Sequence, residues 1–268
     1  MVYFIPTPIG NLDDITLRSL KLLSECHTLF CEDTRVTKKL LSLLSQRQNI
    51  EFHIENYISL HSHNEKKVLE SIDKDIFEKS VAYLSDAGMP CISDPGSYFI
   101  KFCQENKIDY EVLPGANAAL LAYATSGFSN PKFVFYGFLP HKGKDRENGL
   151  SEITNSKYPV IVYESPHRID KLAKELATKI PHVKACFIKE ATKKFEKRFI
   201  GTCEEIFDKL ETSNLKGEWV IVIDATSLQD GESINKEDII ELDIPPKQKA
   251  KLLSKLTGLS VKECYNSL

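Results

Sequence analysis

Short apolar runs alternate with segments of helical periodicity through the first half of the chain. The runs Val2–Ile5, Thr28–Cys31, Val81–Leu84 and Tyr110–Val112 have the composition of buried strands. Between them, apolar residues recur at helical spacing in segments that we predict as helices, at 16–23, 37–44, 98–105 and 118–125. Strands that alternate with helices favour a largely parallel sheet.

The second half begins near residue 132 and has more apolar runs than helical segments. We predict strands at 133–136, 160–163, 185–188, 198–201 and 219–224. The main helices between them are expected at 168–179 and 204–211, so some strand pairs should be antiparallel. A chain of 268 residues exceeds the usual size of one core, and we predict α/β subdomains at 1–115 and 116–226.

The composition changes after residue 226. Segment 227–243 contains six carboxylates and a single lysine, which predicts an acidic linker. Pro245 and Pro246 then open a short helical pattern that ends at Thr257-Gly258, and a second pattern follows it. We therefore predict a small helical tail over 244–268.

The overall composition is that of an ordinary globular protein, with 42% hydrophobic and 27% charged residues. No apolar run is long enough to cross a bilayer, and the N-terminus has the pattern of a strand and not of a signal peptide. Seven scattered cysteines without a C-x-x-C pair favour reduced thiols, so we expect a cytoplasmic protein without a membrane partner. The net charge of −3 means that contact with a polyanion needs local basic patches.

Three loops rich in glycine, proline and polar residues follow predicted strands of the first half, at 7–11, 85–96 and 113–117. Loops at the carboxyl ends of strands in an α/β sheet commonly line a ligand crevice. Neither G-x-G-x-x-G nor a P-loop follows any strand, which argues against an ordinary dinucleotide site or a nucleoside triphosphate site. The loops suit a ligand with hydroxyls, amines and a flat ring better than one rich in phosphate.

Two further strand ends carry side chains suited to proton transfer. Glu32, Asp33 and Arg35 follow the second predicted strand, and Glu164 and His167 follow the strand at 160–163. These groups can accept a proton or hold a substrate hydroxyl or phosphate. Helix capping would explain part of each motif, and the sequence does not decide between the two explanations.

Metal binding is not predicted. His61 and His63 are spaced to share a strand face, but no third ligand follows at a zinc-like spacing.

Basic residues concentrate in three places and provide candidates for contact with a phosphate backbone. The patches lie in segments 141–146, 189–198 and 247–255. A solvated surface is the alternative for each patch taken alone. The residues that we select as RNA contacts are Lys142, Lys144, Arg146, Lys193, Lys194, Lys247, Lys249 and Lys251.

Six motifs occur in a recognisable order along the chain. They are Thr7-Pro8-Ile9-Gly10-Asn11, Glu32-Asp33-Thr34-Arg35, Ser85-Asp86-Ala87-Gly88, Ile92-Ser93-Asp94-Pro95-Gly96, Gly137-Phe138-Leu139-Pro140 and Tyr163-Glu164-Ser165-Pro166-His167-Arg168. With them the chain closely resembles the bacterial 16S rRNA cytidine 2′-O-methyltransferases, a family that has the tetrapyrrole methylase fold. The resemblance runs from residue 3 to about residue 224 and extends to segment 256–260 of the tail.

The resemblance implies a tetrapyrrole methylase-like two-domain α/β fold with a small C-terminal helical tail. It implies a homodimer that transfers a methyl group from S-adenosylmethionine to a cytidine 2′-hydroxyl of 16S rRNA in the small ribosomal subunit. It places the cofactor in the cleft between the domains, where we expect contacts from Pro8, Asp86, Ala87, Gly88, Met89, Ile92, Asn117, Ala118, Tyr163, Ala191 and Thr192.

For the substrate, Arg35 and Arg168 would hold phosphates, and the proton acceptor would be Glu32, Asp33, Glu164 or His167. Two alternatives stay open at this point. One is an enzyme of the same fold that methylates a porphyrinoid carbon, and the other is a non-catalytic RNA-binding protein.

Overall fold

The computed structural model describes residues 1–226 and 236–268. Its two compact units are Met1–Ala225 and Thr226–Leu268. Residues 227–235 of the predicted acidic linker lie outside the described residues.

The first half of the larger unit is built on a five-stranded parallel sheet with the order β3-β2-β4-β1-β5. The strands are β1 Val2–Ile5, β2 Thr28–Cys31, β3 Asn56–Ser59, β4 Val81–Leu84 and β5 Tyr110–Val112. All pairs are parallel, so the strands end on the same edge of the sheet, where the loops of the candidate site emerge.

Both faces of this sheet are covered, which is why its inner strands β1, β2 and β4 are mainly apolar instead of alternating. One face packs an aromatic cluster around Phe4, Phe30, Tyr83 and Phe99, and the other packs aliphatic residues. The ring centroids of Phe30 and Phe99 are 4.9 Å apart. The helices are α1 Leu17–Ser24, α2 Thr34–Gln48, α3 Glu65–Ser71, α4 Ser97–Glu105 and α5 Ala118–Ser126.

The second half of the larger unit contains a mixed five-stranded sheet with the order β6-β7-β10-β8-β9. The strands are β6 Val134–Phe138, β7 Val160–Glu164, β8 Lys184–Lys189, β9 Lys197–Thr202 and β10 Trp219–Ile223. β6 and β7 are parallel, whereas β7–β10, β10–β8 and β8–β9 are antiparallel, which confirms the expected antiparallel pairs.

Helices cover both faces of the second sheet. On one face lie α6 Gly143–Thr154, α7 Ile169–Lys179 and α8 Cys203–Glu211, which share a core with the strands. On the other face Ala119 and Ala122 of α5 pack against Ile161, Cys186 and Val220. The first sheet ends at Val112 and α5 packs on the second, while the subdomain boundary at residue 115 stays a prediction.

The smaller unit is a helical tail of α9 Lys236–Glu241, α10 Pro246–Thr257 and α11 Val261–Asn266. Its small core consists of Ile239, Ala250, Leu253 and Cys264. The two predicted tail helices are present, but the expectation of a linker through residue 243 is wrong for 236–241, which form a helix that buries Ile239. None of the helices in 1–226 and 236–268 has the length and apolarity needed to cross a membrane.

Candidate active site

A cavity of about 330 Å³ lies where the loops of the first sheet meet the second sheet. Its volume is in the range of small-molecule sites. The first half contributes residues from the loops after β1, β4 and β5, and the second half contributes the ends of β6, β7, β8 and β10. The lining residues are Ile9, Ala87, Gly88, Met89, Ile92, Ser93, Asp94, Asn117, Ala118, Phe138, Tyr163, Glu164, Ser165, Pro166, Ala191, Glu218, Trp219 and Val220.

Backbone hydrogen bonds join the loops after β1 and β4. Thr7 and Gly88 each donate their N–H to the carbonyl of the other, at 3.0 Å. The Thr7 hydroxyl donates to the Ser85 carbonyl at 3.2 Å, and the Ser85 hydroxyl donates to the Gly88 carbonyl at 2.9 Å. Gly88 has φ +82°, and a Cβ there would lie 3.1 Å from Cγ2 of Ile9, so a glycine allows this turn to close against the first loop.

The third loop ends in a helix N-terminus at the cavity. The Asn117 side chain caps α5 by accepting a hydrogen bond from the Leu120 N–H at 3.0 Å. Asn117 and Ala118 both line the cavity, so the partial positive charge of the helix end lies at its wall.

The wall from the second half is held by buried ion pairs. Glu164 has no exposed side-chain surface, and its carboxylate lies 2.7 Å from the Arg168 guanidinium and 3.6 Å from that of Arg146. The Ser165 N–H donates to the same carboxylate at 2.8 Å. Arg146 also pairs with Glu175 at 2.7 Å. The turn after β7 is therefore fixed by charges that neutralise each other away from water.

A group of carboxylates lies at the ends of β2 and β4. Burial and the nearby Asp86 raise the pKa of Glu32, and burial followed by the charges of Glu32 and Asp86 raises the pKa of Asp94 to about 6. Asp33 behaves differently, because the Arg35 side chain donates to both of its carboxylate oxygens, at 3.1 and 2.7 Å. These bonds hold the pKa of Asp33 at about 2.

Most residues expected to contact the cofactor lie in the cavity lining. They are Ala87, Gly88, Met89, Ile92, Asn117, Ala118, Tyr163 and Ala191. Three others lie outside this lining: Pro8 is buried, the Asp86 carboxylate accepts from the Asp33 N–H at 3.2 Å, and the Thr192 hydroxyl accepts from the Asn11 N–H at 3.0 Å. Contact of any of these residues with a ligand stays a prediction.

Of the residues expected to move a proton or hold the substrate, Glu164 lines the cavity. Glu32 and Asp33 are half-buried at the end of β2, and Arg35 is 90% exposed on its side chain. His167 is exposed and lies outside the lining set. The structure thus brings Glu164 to the cavity and leaves Glu32, Asp33 and Arg35 outside its lining.

One expected RNA contact is wrong. Arg146 is 2% exposed and its guanidinium is committed to Glu164 and Glu175, because the helix that follows the basic loop turns this side chain inward. Arg168 is also largely occupied, by Glu164 and by the Leu139 carbonyl at 3.2 Å. Both arginines therefore hold the turn after β7.

The remaining basic candidates differ in their availability. Lys142, Lys144 and Lys194 are exposed, as are Lys247 and Lys251 of the tail. Lys193 lies between Glu190 at 3.0 Å and Glu218 at 2.8 Å. The ammonium of Lys249 donates to the Ile240 carbonyl at 2.6 Å.

Sequence reasoning missed several residues that the structure brings to the site. Asp94, Ser93, Phe138 and Trp219 line the cavity. Phe195, which is 71% exposed, follows Lys194, whose ammonium lies 5.5 Å from the ring centroid. The motif Ile92-Ser93-Asp94-Pro95-Gly96 contained a usable signal for Asp94, since a second acid follows the same strand as Asp86.

Within the described residues, no group of three or more His, Cys, Asp or Glu side chains is arranged to hold a metal ion. His61 and His63 lie near each other, with ring centroids 6.0 Å apart.

Comparison with known proteins agrees with this architecture. The family of tetrapyrrole (corrin/porphyrin) methylases matches residues 1–206. A protein of Campylobacter fetus subsp. fetus (strain 82-40), called ribosomal RNA small subunit methyltransferase I, is 51% identical over 100% of this chain and 99% of its own length. Its namesake in Helicobacter pylori (strain ATCC 700392 / 26695) is 41% identical over 99% of this chain and 96% of its own length.

The fold is shared with more distant solved structures. One is the uroporphyrin-III C-methyltransferase of Thermus thermophilus complexed with S-adenyl homocysteine, which covers 85% of this chain and 99% of its own, with a TM-score of 0.55 and 17% identity. From the family match and the two close relatives, we conclude that the chain belongs to the tetrapyrrole methylase family and, within it, to the group called ribosomal RNA small subunit methyltransferase I.

Proposed function

We propose that this protein transfers a methyl group from S-adenosylmethionine to the 2′-hydroxyl of a cytidine in 16S rRNA of the small ribosomal subunit. The observation that carries the proposal is the charge of the cavity at the strand ends. Every charged residue of its lining, among those the structure describes, is an acid: Asp94, Glu164 and Glu218. Glu164 and Glu218 are paired with basic side chains, so it is the Asp94 carboxylate that favours a positively charged ligand over a free phosphate.

The residues present fit S-adenosylmethionine. The apolar and aromatic lining, with Ile9, Met89, Tyr163 and Trp219, provides flat contacts for an adenine ring. The Asp94 carboxylate complements the positive charge of the cofactor. When bound, the cofactor supplies an electrophilic methyl group on a sulfonium sulfur. The Thr7–Gly88 hydrogen bonds keep the first two loops in place while a substrate oxygen is aligned.

The substrate would enter over the basic and aromatic residues near the cavity. Lys142 and Lys144 are exposed at the start of α6, and Lys194 is exposed in the turn between β8 and β9. Ala191 of that same turn lines the cavity. Phe195 offers an exposed ring on which an unpaired base can stack, with a cation beside it for a phosphate.

The cellular compartment and the oligomeric state complete the proposal. All seven cysteines are free thiols, which supports a reducing compartment, and we propose the cytoplasm. We propose that the chain works as a homodimer, as the family resemblance implies, and sedimentation velocity should then report twice the mass of the chain.

The test uses the full chain with S-adenosylmethionine labelled in its methyl group. Small subunits from a strain without this protein are expected to incorporate one label, found by nucleoside mass spectrometry as 2′-O-methylcytidine. A uroporphyrinoid incubated in parallel should remain unlabelled. Label on the porphyrinoid and none on the RNA would replace the proposal with a porphyrinoid methylase, and absence of cofactor binding in calorimetry would favour a non-catalytic RNA-binding protein.

A further inference from the structure

Asp94 has a position that no other acid of the site shares. It follows β4 in the loop that leads into α4, it is half-buried, and it lines the cavity. Burial raises the pKa of the Tyr163 hydroxyl to about 12, and the charge of Asp94 adds to that rise. Tyr163 lies at the end of β7 in the second sheet, so the charge of Asp94 in the first half acts on a hydroxyl of the second half.

The other acids of the lining each form ion pairs with basic side chains. Glu164 has no exposed surface and is neutralised by Arg168 and Arg146, at 2.7 and 3.6 Å. Glu218 is 78% exposed and pairs with Lys193 at 2.8 Å. Both carboxylates are therefore engaged by basic side chains of the fold.

Asp33, which lies outside the cavity lining, is likewise engaged by a basic side chain. Its two carboxylate oxygens accept hydrogen bonds from Arg35, and its pKa of about 2 leaves it unable to take a proton near neutral pH. In the described part of the chain, no cation is paired with the Asp94 carboxylate among the ion pairs within 4.0 Å.

We propose that Asp94 is the catalytic residue that accepts the proton of the ribose 2′-hydroxyl during methyl transfer. The inference rests on the proposed function and assigns the proton acceptor to a residue that was not among the candidates selected from the sequence. In the step, the ribose oxygen forms a bond to the methyl carbon while the carbon–sulfur bond breaks and its electron pair stays on sulfur. The O–H bond breaks and its proton passes to the Asp94 carboxylate, so the products are a methyl ether, a neutral thioether and a carboxylic acid.

The surroundings of Asp94 suit this role. The charges of Glu32 at the end of β2 and Asp86 at the end of β4 raise its pKa beyond the effect of burial, to about 6. The phenol of Tyr83 and the thiol of Cys91 also face it, and burial is the main cause that raises the pKa of both, which keeps them neutral. Asp94 is thus ionised at neutral pH yet basic enough to take a proton.

The experiment compares Asp94→Asn and Asp94→Glu with the wild-type chain in single-turnover methylation of small subunits. We expect D94N to lower the rate by roughly 10²–10⁴-fold, the usual contribution of a general base. We expect D94E to restore part of it. The matched control is Asp109→Asn, an exposed acid before β5, which should keep the wild-type rate.

Two readouts separate a base from a structural or cofactor-binding role. The rate of the wild type should decrease as the pH is lowered below about 6, and the rate of D94N should not show this decrease. Infrared spectra of the protein without cofactor should show a carboxyl that titrates near pH 6 and is missing in D94N. In calorimetry the S-adenosylmethionine affinity of D94N should fall far less than its rate.

Three results would overturn the inference: a D94N rate equal to that of the wild type, a cofactor affinity that falls as far as the rate, or a decrease in rate at low pH that persists in D94N. A wild-type chain that leaves the RNA unmethylated would instead overturn the proposed function.

Discussion

Arg146 and Glu164 form an ion pair that is shielded from water, with 3% and 0% of their side chains exposed and 3.6 Å between the nearest nitrogen and oxygen. The pair joins α6 to the end of β7. Arg168 at the start of α7 completes it from the other side, so three elements meet at one carboxylate. Ser165 and Pro166 follow Glu164 directly and line the cavity, which makes the shape of this wall depend on the ion pairs.

Replacing Arg146 by methionine should destabilise the protein, because Glu175 loses its buried partner and Glu164 keeps only Arg168. Removing one partner of a buried pair costs about 3–5 kcal/mol, and we expect a loss of about 3 kcal/mol in the free energy of unfolding by urea. Arg18→Met is the control, since its pair with Glu111 is exposed to solvent and should contribute little to stability. Equal losses in the two variants would contradict the structural role of Arg146.

The cofactor cavity can be tested from the first turn of α5. Ala118→Leu keeps a good helix former but adds volume to the cavity wall, so S-adenosylmethionine should bind at least about tenfold more weakly in calorimetry. Ala124→Leu adds the same atoms to an exposed position on the same helix and should leave the affinity unchanged. Wild-type affinity in A118L would place the cofactor elsewhere.

Phe195 provides a test of substrate contact without changing any charge. Phe195→Ala should raise the KM for small subunits about 5- to 150-fold, the equivalent of the ~1–3 kcal/mol that stacking on a base contributes. Its ring is 71% exposed, so folding and cofactor affinity should not change.

Two further variants at Phe195 separate stacking from apolar contact. Phe195→Trp retains a flat ring and should restore the KM, whereas Phe195→Leu retains apolar surface alone and should not. A leucine variant that performs as well as the wild type would mean that no base stacks there.

The sequence was sufficient for elements whose residues are buried on all sides. β2 and β4 appear as uninterrupted apolar runs because helices cover both faces of the first sheet. β3 was missed because it is an edge strand with polar and partly exposed residues, Asn56 to Ser59. α6 was missed because it begins inside a basic loop, and only its inward face, with Arg146 and Leu150, is buried.

The site was predictable where loops follow strands and unpredictable where side chains meet from distant segments. Gly88 and Asn117 could be placed at the cavity because each follows a strand of the same sheet. The Arg146 side chain points inward to Glu164 because of the way α6 packs on the second sheet. This packing cannot be predicted from the local sequence pattern. The difference between Asp33 and Asp94 likewise arises from Arg35 on one side and from two carboxylates on the other.

The raised pKa of Asp94 means that its ionised carboxylate destabilises the folded chain. Replacing Asp94 by a residue that cannot ionise should therefore make the fold more stable. The carboxyl has a pKa of about 6 in the folded chain against an ordinary value of 3.8, so the native state binds more protons than the unfolded state between these values. The contribution of Asp94 to stability therefore falls as pH rises from about 4 to 6, and the full penalty applies above that window.

Asp94→Asn cannot ionise, so we expect its free energy of unfolding at pH 7.5 to exceed that of the wild type by about 1–2 kcal/mol, with the difference vanishing below pH 4. Glu32 and Asp86 are present in both proteins, so the difference between the two urea curves reports Asp94 together with its repulsion from these two carboxylates. Asp109→Asn, which replaces an exposed acid, is the control and should have the stability of the wild type at pH 7.5. If D94N were less stable than the wild type at pH 7.5, the fold would stabilise the ionised Asp94 carboxylate. Its pKa would then not be raised, and Asp94 would have no reason to act as a base.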